Sequence, residues 1–205
     1  MWNERYAGDD YLFGTAPADF LPRTAHWLTP GETALCIADG EGRNSVWLAG
    51  QGLEVTAFDP APNAVTKARK LAGARGVPVA FHVTDLDGWD WSRQFDVVVG
   101  IFIQFVGPDG RAELFRRIDR GLRPGGLLLL HGYAPRQVGY GTGGPPDAAN
   151  MYTLDLLRES FANYKVLRAE DFDADVDEGR GHSGRSALID FVARKPGKAG
   201  QGAGS

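Results

Sequence analysis

Short apolar runs, each closed by Gly, Pro or Asp, set the pattern of the first two thirds of the chain. Residues 33–38, TALCIA, read as a buried strand. The turn Asp39-Gly40-Glu41-Gly42 follows, then a short helix from Arg43 to Gln51 that stops at Gly52. A second strand over 54–58 closes on Asp59-Pro60. The helix expected over 62–74 places Val65, Ala68, Leu71 and Ala72 on one face, with Gly76 as its stop. Val77, Val79, Phe81 and Val83 alternate as a third strand ending at Asp85. Residues 95–103, FDVVVGIFI, are apolar on both faces, as a strand covered on both sides must be. Leu114, Ile118 and Leu122 mark a helix stopped by Arg123-Pro124-Gly125-Gly126, and Leu127 to His131 is a fifth strand.

Strands alternating with helices predict an α/β fold with a mostly parallel sheet and helices on both faces. Upstream, residues 1–16 show no clean period and read as an arm anchored by Trp2, Tyr6, Tyr11 and Phe13. A helix is expected from Pro17 to Leu28. Downstream, the Gly- and Pro-rich stretch 133–150 is too long for an idle connection and reads as a lid or binding loop. Thr153 caps a helix running to Phe161. Strands are expected at 165–169 and 187–193, joined in hairpin fashion, which suggests an antiparallel edge strand. The closing GKAGQGAGS reads as a flexible tail.

A chain of 205 residues fits one domain with a sizeable core. The net charge of −4 leaves no electrostatic footprint for nucleic acid. Cys36 stands alone, so no internal disulfide forms, and no apolar run approaches the roughly 18 residues of a membrane span. The expectation is a soluble, cytoplasmic protein acting on a small molecule, with neither nucleic acid nor membrane as partner.

Asp39, Asp59 and Asp85 each follow one of the first three strands. In a parallel sheet those strand ends share one rim. A carboxylate after the second strand is placed to accept both hydroxyls of a ribose, and Asp85 to accept from an adenine amine. The turn acids choose among nucleotides. Asp39 and Glu41 set like charge beside any phosphate, at a cost of roughly 4 kcal/mol for charges about 4 Å apart at an effective dielectric of 20. Ser45 also stands where a dinucleotide turn carries its third Gly or Ala. A ribose and adenine joined to a cationic sulfur and an amino acid suit the turn better, which points to S-adenosylmethionine.

The run Gly40-Glu41-Gly42-Arg43-Asn44-Ser45-x-x-Leu48-Ala49, with Asp59, Thr84-Asp85-Leu86, Phe95-Asp96, Pro124-Gly125-Gly126 and Ala193-Arg194-Lys195, resembles class I S-adenosylmethionine-dependent methyltransferases. Gly-Arg-Asn-Ser and the overall size are most similar to the small tellurite-resistance and thiopurine-type enzymes, of which Trp2, Tyr6, Phe13 and Gly14 are also reminiscent. The resemblance covers residues 1–195, with 1–30 as an arm and helix over the cofactor site and 196–205 left as tail. It implies a single Rossmann-like domain whose seven-stranded sheet has strand 7 antiparallel between strands 5 and 6. It implies that Asp39, Gly40, Gly42, Arg43 and Asn44 cradle the methionine part, that Asp59 holds the ribose, and that Asp85 and Leu86 meet the adenine. Residues from Ile101 to Gln104 flank adenosine and methyl, and Phe13 and Gly14 complete the cofactor set. Cys36 replaces the usual acid of strand 1 and Ala38 the usual first glycine.

The function expected is methyl transfer to a small-molecule acceptor, a thiol or a metalloid or chalcogen anion. A nicotinamide-dependent oxidoreductase and a non-catalytic S-adenosylmethionine-binding module stand as alternatives. Of four histidines, His26 reads as a surface residue and His82 as a strand-face residue, while His131 ends strand 5 on the functional rim. His182 and Arg185, in the polar segment entering strand 7, are the expected catalytic pair, for proton removal or anion holding. Gln104, Tyr133, Gln137, Tyr140 and Thr142 are candidates to face the acceptor. No Cys/His cluster has metal-ligand spacing.

Overall fold

The protein, seen here as a computed structural model, is described over residues 2–179 and 182–197, with the backbone alone described at His182. The expected tail from 198 onward lies outside the described residues. Seven strands form one sheet: β1 Thr33–Ile37, β2 Glu54–Asp59, β3 Val79–Val83, β4 Phe95–Ile101, β5 Leu122–Tyr133, β6 Lys165–Glu178 and β7 His182–Arg194. Their order is β3-β2-β1-β4-β5-β7-β6. β1 to β5 run parallel, and β7 is antiparallel to both β5 and β6. The antiparallel strand is therefore internal, and β6 is the edge.

Among the described residues six α-helices accompany the sheet: α1 Trp2–Arg5, α2 Phe20–Thr24, α3 Arg43–Gly50, α4 Pro62–Arg75, α5 Pro108–Gly121 and α6 Leu154–Ser160. Period-two alternation sorts the strand residues between two cores. Leu35, Val98, Leu128 and Leu130 pack with α5 and α6. Cys36, Val97, Val99 and Leu129 pack with Phe20 and Leu21 of α2 and Leu48 of α3. Cys36 is thus a small core residue, its thiol pushed up by burial and by Asp39. The helix expected from Pro17 begins only at Phe20 and tightens to a 3-10 turn at Ala25–Trp27. Thr153 does cap α6, accepting the N–H of Leu156 at 3.1 Å.

The largest departure from the sequence reading lies between 170 and 186. These residues continue both late strands, pairing without a break from Asp171↔Ile189 to Glu178↔His182. Because β5 pairs with β7 only from Leu188 to Arg194, the outer half of β6 and β7 is a two-stranded ribbon running past the sheet. Phe172, Ala174 and Val176 turn inward on Tyr133, Met151 and Leu188. The intervening aspartates face outward, and aspartate's poor strand propensity hid the alternation.

Candidate functional site

Strand order reverses between β1 and β4, and the crevice at a reversal is where open α/β sheets take ligands. A cavity of about 370 Å³ opens there, walled by Ala38, Asp39 and Gly40 after β1, Asp59 and Pro60 at the end of β2, and Ile101, Phe102 and Phe105 at and beyond the end of β4. Trp2, Tyr6 and Phe13 of the arm close over it. Two non-glycine residues among those described have positive φ, Ala38 at 47° and Phe102 at 55°, and both line this cavity. Each conformation costs about 1–2 kcal/mol and needs surrounding contacts to persist. Ala38 stands where the resemblance implies glycine, and its backbone takes a glycine-like angle. Phe102 is held by its N–H to the carbonyl of His131 at 2.8 Å.

Asp59 accepts the N–H of Gly40 at 2.9 Å and that of Ala61 at 2.8 Å; burial raises its pKa and those bonds pull it back. Asp39 accepts the Ser45 N–H at 3.3 Å and the Ser45 hydroxyl. Burial, with the Asp59 charge beside it, pushes Asp39 up to about 7. Glu41 also touches the cavity, but its carboxylate pairs with Lys67 at 2.7 Å and accepts the Leu12 N–H at 2.7 Å. Its charge is thus spent on fixing the arm, and the repulsion expected of the turn acids falls to Asp39 and Asp59.

The structure brings together Phe13, Asp39, Gly40, Arg43, Asn44, Asp59 and Ile101 on one wall. Arg43 bonds Glu178 at 2.7 Å, and Asn44 accepts the Ala18 N–H at 2.9 Å. Gly42, Gly14, Asp85, Leu86 and Arg185 are not on that wall. Gly42 has φ 87°, and a Cβ there would stand 2.7 Å from the Cβ of Ala68, so this glycine lets α3 approach α4. Gly14 packs on the ribbon at Gly179. Asp85 caps its own turn through the N–H groups of Asp87 and Gly88, and the Leu86 carbonyl accepts from Trp91 and Arg117. Arg185 is exposed on β7 and reaches Asp173 at 3.4 Å. His182 is paired through its backbone, and its side chain lies outside the described residues.

The long loop after β5 braces the ribbon. Gln137 donates to Thr142 and Gly143 and accepts from Ala187, Tyr140 bonds Asp173, and Thr142 bonds the Arg185 carbonyl. None of 133–150 lines the cavity. Gln104 spends both ends of its amide on the Tyr133 backbone, at 2.8 and 2.7 Å. His131 is buried one residue behind the wall, its Nδ1 2.8 Å from Asp190 and its ring stacked on Phe20 and edge-on to Phe102. Asp190 also holds Arg23 and Arg168, and although burial raises its pKa, His131 and Arg23 bring it below the usual range. Phe102 falls within the Ile101–Gln104 stretch expected to flank the cofactor, whereas Phe105, just beyond it, is a wall residue not singled out from the sequence. Among the described residues no group of three His, Cys, Asp or Glu side chains is arranged to hold a metal, and no helix is long and apolar enough to cross a membrane.

A family model described as a methyltransferase domain matches residues 34–126, the stretch from β1 through the start of β5. Carboxy-S-adenosyl-L-methionine synthase of Aeromonas salmonicida is 38% identical over 81 residues, which is 38% of this chain and 33% of that protein. Ubiquinone biosynthesis O-methyltransferase of Paramagnetospirillum magneticum is 35% identical over 99 residues, 48% of this chain and 39% of its own. The matches span about a third of the length of the first of these relatives. Among solved structures, a protein studied for the conversion of a disulfide bond into a thioacetal group during echinomycin biosynthesis superposes with a TM-score of 0.76 at 22% identity, covering 97% of this chain and 89% of its own. TehB from Haemophilus influenzae gives 0.70 at 16% identity, covering 95% and 65%. Residues 34–126 are thus similar to a methyltransferase domain, and the whole sheet shares its fold with these solved structures.

Proposed function

We propose that the protein transfers a methyl group from S-adenosylmethionine to a small-molecule acceptor. The observation that carries this reading is the pair of recessed carboxylates, Asp39 and Asp59, at the strand reversal, with Asp39 raised to about 7 by burial and by the Asp59 charge beside it. The fit is chemical: Asp59 is placed for ribose hydroxyls, Asp39 faces the ammonium side of an amino acid, and the aromatic wall covers an apolar surface. Asp85 and Leu86 meet the adenine from the neighbouring turn after β3. When bound, the cofactor supplies a methyl on a sulfonium. The chain's own contribution is alignment and exclusion of water, and alignment alone is worth roughly 7–11 kcal/mol.

For the acceptor, the wall of Trp2, Phe13, Phe102 and Phe105 supports an uncharged apolar nucleophile such as a thiol. A metalloid or chalcogen anion has less support, since Arg43, the one cationic residue on the wall among those described, is paired with Glu178. The tellurite-resistance and thiopurine likeness is retained as a proposal on the strength of the arm and the Gly-Arg-Asn-Ser run. The proposed place of action is the cytoplasm, where the single Cys36 stays reduced.

Thermal shift with S-adenosylhomocysteine, set against NAD, tests the reading. Ligand at about 100 times its dissociation constant stabilises by roughly 2.7 kcal/mol. At about 2–4 °C per kcal/mol for this size the melting temperature rises by roughly 5–10 °C. A rise with NAD alone overturns the reading in favour of the oxidoreductase. Binding without methyl release from S-adenosylmethionine across a thiol, amine and phenol panel favours the non-catalytic module.

A further inference from the structure

The arm is fastened from two sides. On the turn after β1, Glu41 holds the Leu12 N–H and Asn44 the Ala18 N–H, while Asn63 of α4 makes two bonds of 2.9 Å to Asn3. The other side is the tip of the β6–β7 ribbon, 135 residues along the chain from Arg43. There Glu178 meets the Arg43 guanidinium at 2.7 Å, with the two side chains 10% and 8% exposed. Its other carboxylate oxygen accepts the Asp19 N–H at 3.4 Å, and Arg43 donates to the Ala16 carbonyl at 3.4 Å. Gly179, at φ 71°, lies so close that a Cβ would stand 2.7 Å from the Leu12 carbonyl oxygen and 2.9 Å from the Gly14 nitrogen.

These contacts converge on one function. Trp2, Tyr6 and Phe13 line the cavity, so the arm stands directly against a cofactor bound in it. Arg43 belongs both to the cavity wall and to the ion pair that holds the ribbon against the arm. We infer that the ribbon tip is a latch, with Glu178 a positioning residue that acts through Arg43 and the arm to set the rate of cofactor exchange. This rests on the cavity being the cofactor site. An ion pair so little exposed is screened weakly by salt, so the latch holds at physiological ionic strength.

The test is the release rate of labelled S-adenosylhomocysteine from the full-length protein, chased with excess unlabelled S-adenosylmethionine, alongside the melting temperature without ligand. Glu178→Gln is expected to speed release about tenfold, equivalent to ~1.4 kcal/mol, with Glu178→Asp in between. Gly179→Ala, which crowds Leu12 without changing charge, is expected to speed it in the same direction. Joining Glu178→Arg with Arg43→Glu is expected to restore part of the slow release. Release within twofold of the parent in both Glu178→Gln and Gly179→Ala overturns the latch, whatever happens to the melting temperature, since a merely structural role moves only the latter. Failure of the parent protein to bind either ligand overturns the cofactor reading itself, and the latch with it.

Discussion

Asp39 gives the sharpest test of the site because its charge state is set by its surroundings. Burial is the largest influence and the neighbouring Asp59 charge adds to it; the Ser45 hydroxyl and N–H pull the other way, and the balance leaves the carboxyl up to about 7. In the unfolded chain the same group titrates near 3.8. The folded state therefore holds a proton that the unfolded state releases. The consequence is that stability falls as pH rises from about 4 to about 7, with the whole penalty, on the order of 4 kcal/mol at most, present above 7. Ligand binding runs the other way. An ammonium against Asp39 requires the carboxylate, and at pH 6 only about one molecule in ten carries it. S-adenosylhomocysteine should therefore bind about tenfold more weakly at pH 6 than at pH 8, with uptake at pH 6 releasing close to one proton per ligand. Calorimetric titration at pH 6, 7 and 8, in buffers of differing ionisation enthalpy, measures both quantities. Asp39→Asn should weaken binding at pH 8 and flatten the profile. Affinity that stays level between pH 6 and 8 in the parent, or a slope that survives in Asp39→Asn, would refute the placement of the ammonium at Asp39.

Two further outcomes are expected from packing. Gly42→Ala combines a left-handed backbone, costing about 1–2 kcal/mol, with overpacking against Ala68 at about 1–3 kcal/mol; scanning calorimetry should show a drop of roughly 5–15 °C, and a loss under about 2 °C would mean that α3 and α4 part freely. Gln104→Leu removes the acceptor of the Tyr133 N–H, while the Tyr133 carbonyl keeps the Tyr152 N–H at 3.0 Å, and it loosens the turn that holds Phe102. At about 1–3 kcal/mol for a buried group left unsatisfied, the urea midpoint should fall and affinity for S-adenosylhomocysteine should fall with it; an unchanged midpoint would show that another group takes over the N–H.

Much of the sheet was legible because parallel strands covered on both faces leave unmistakable apolar runs. FDVVVGIFI and GLLLLH admit no other element at that length, and Gly, Pro and Asp mark their ends. The carboxylates after β1 and β2 were legible for the same reason, since a strand end fixes where the next residue stands. The ribbon was not, although Phe172, Ala174 and Val176 alternate, because the aspartates between them read as a polar loop until Tyr133 and Leu188 supply a surface to bury against. Nor could the sequence say which glycine serves a ligand and which a helix contact: Gly42 is required by Ala68, 26 residues away, and only the packing of α3 on α4 shows it. Likewise Glu41 looked like a charge aimed at the ligand until the fold brought Lys67 and Leu12 to it. The sequence by itself determined the strands, their punctuation and the acids at their ends, which are local matters of period and turn chemistry. The tertiary structure decided which acid stays uncompensated, what closes the cavity, and that the arm and the ribbon meet there, because those depend on contacts between residues far apart in the chain.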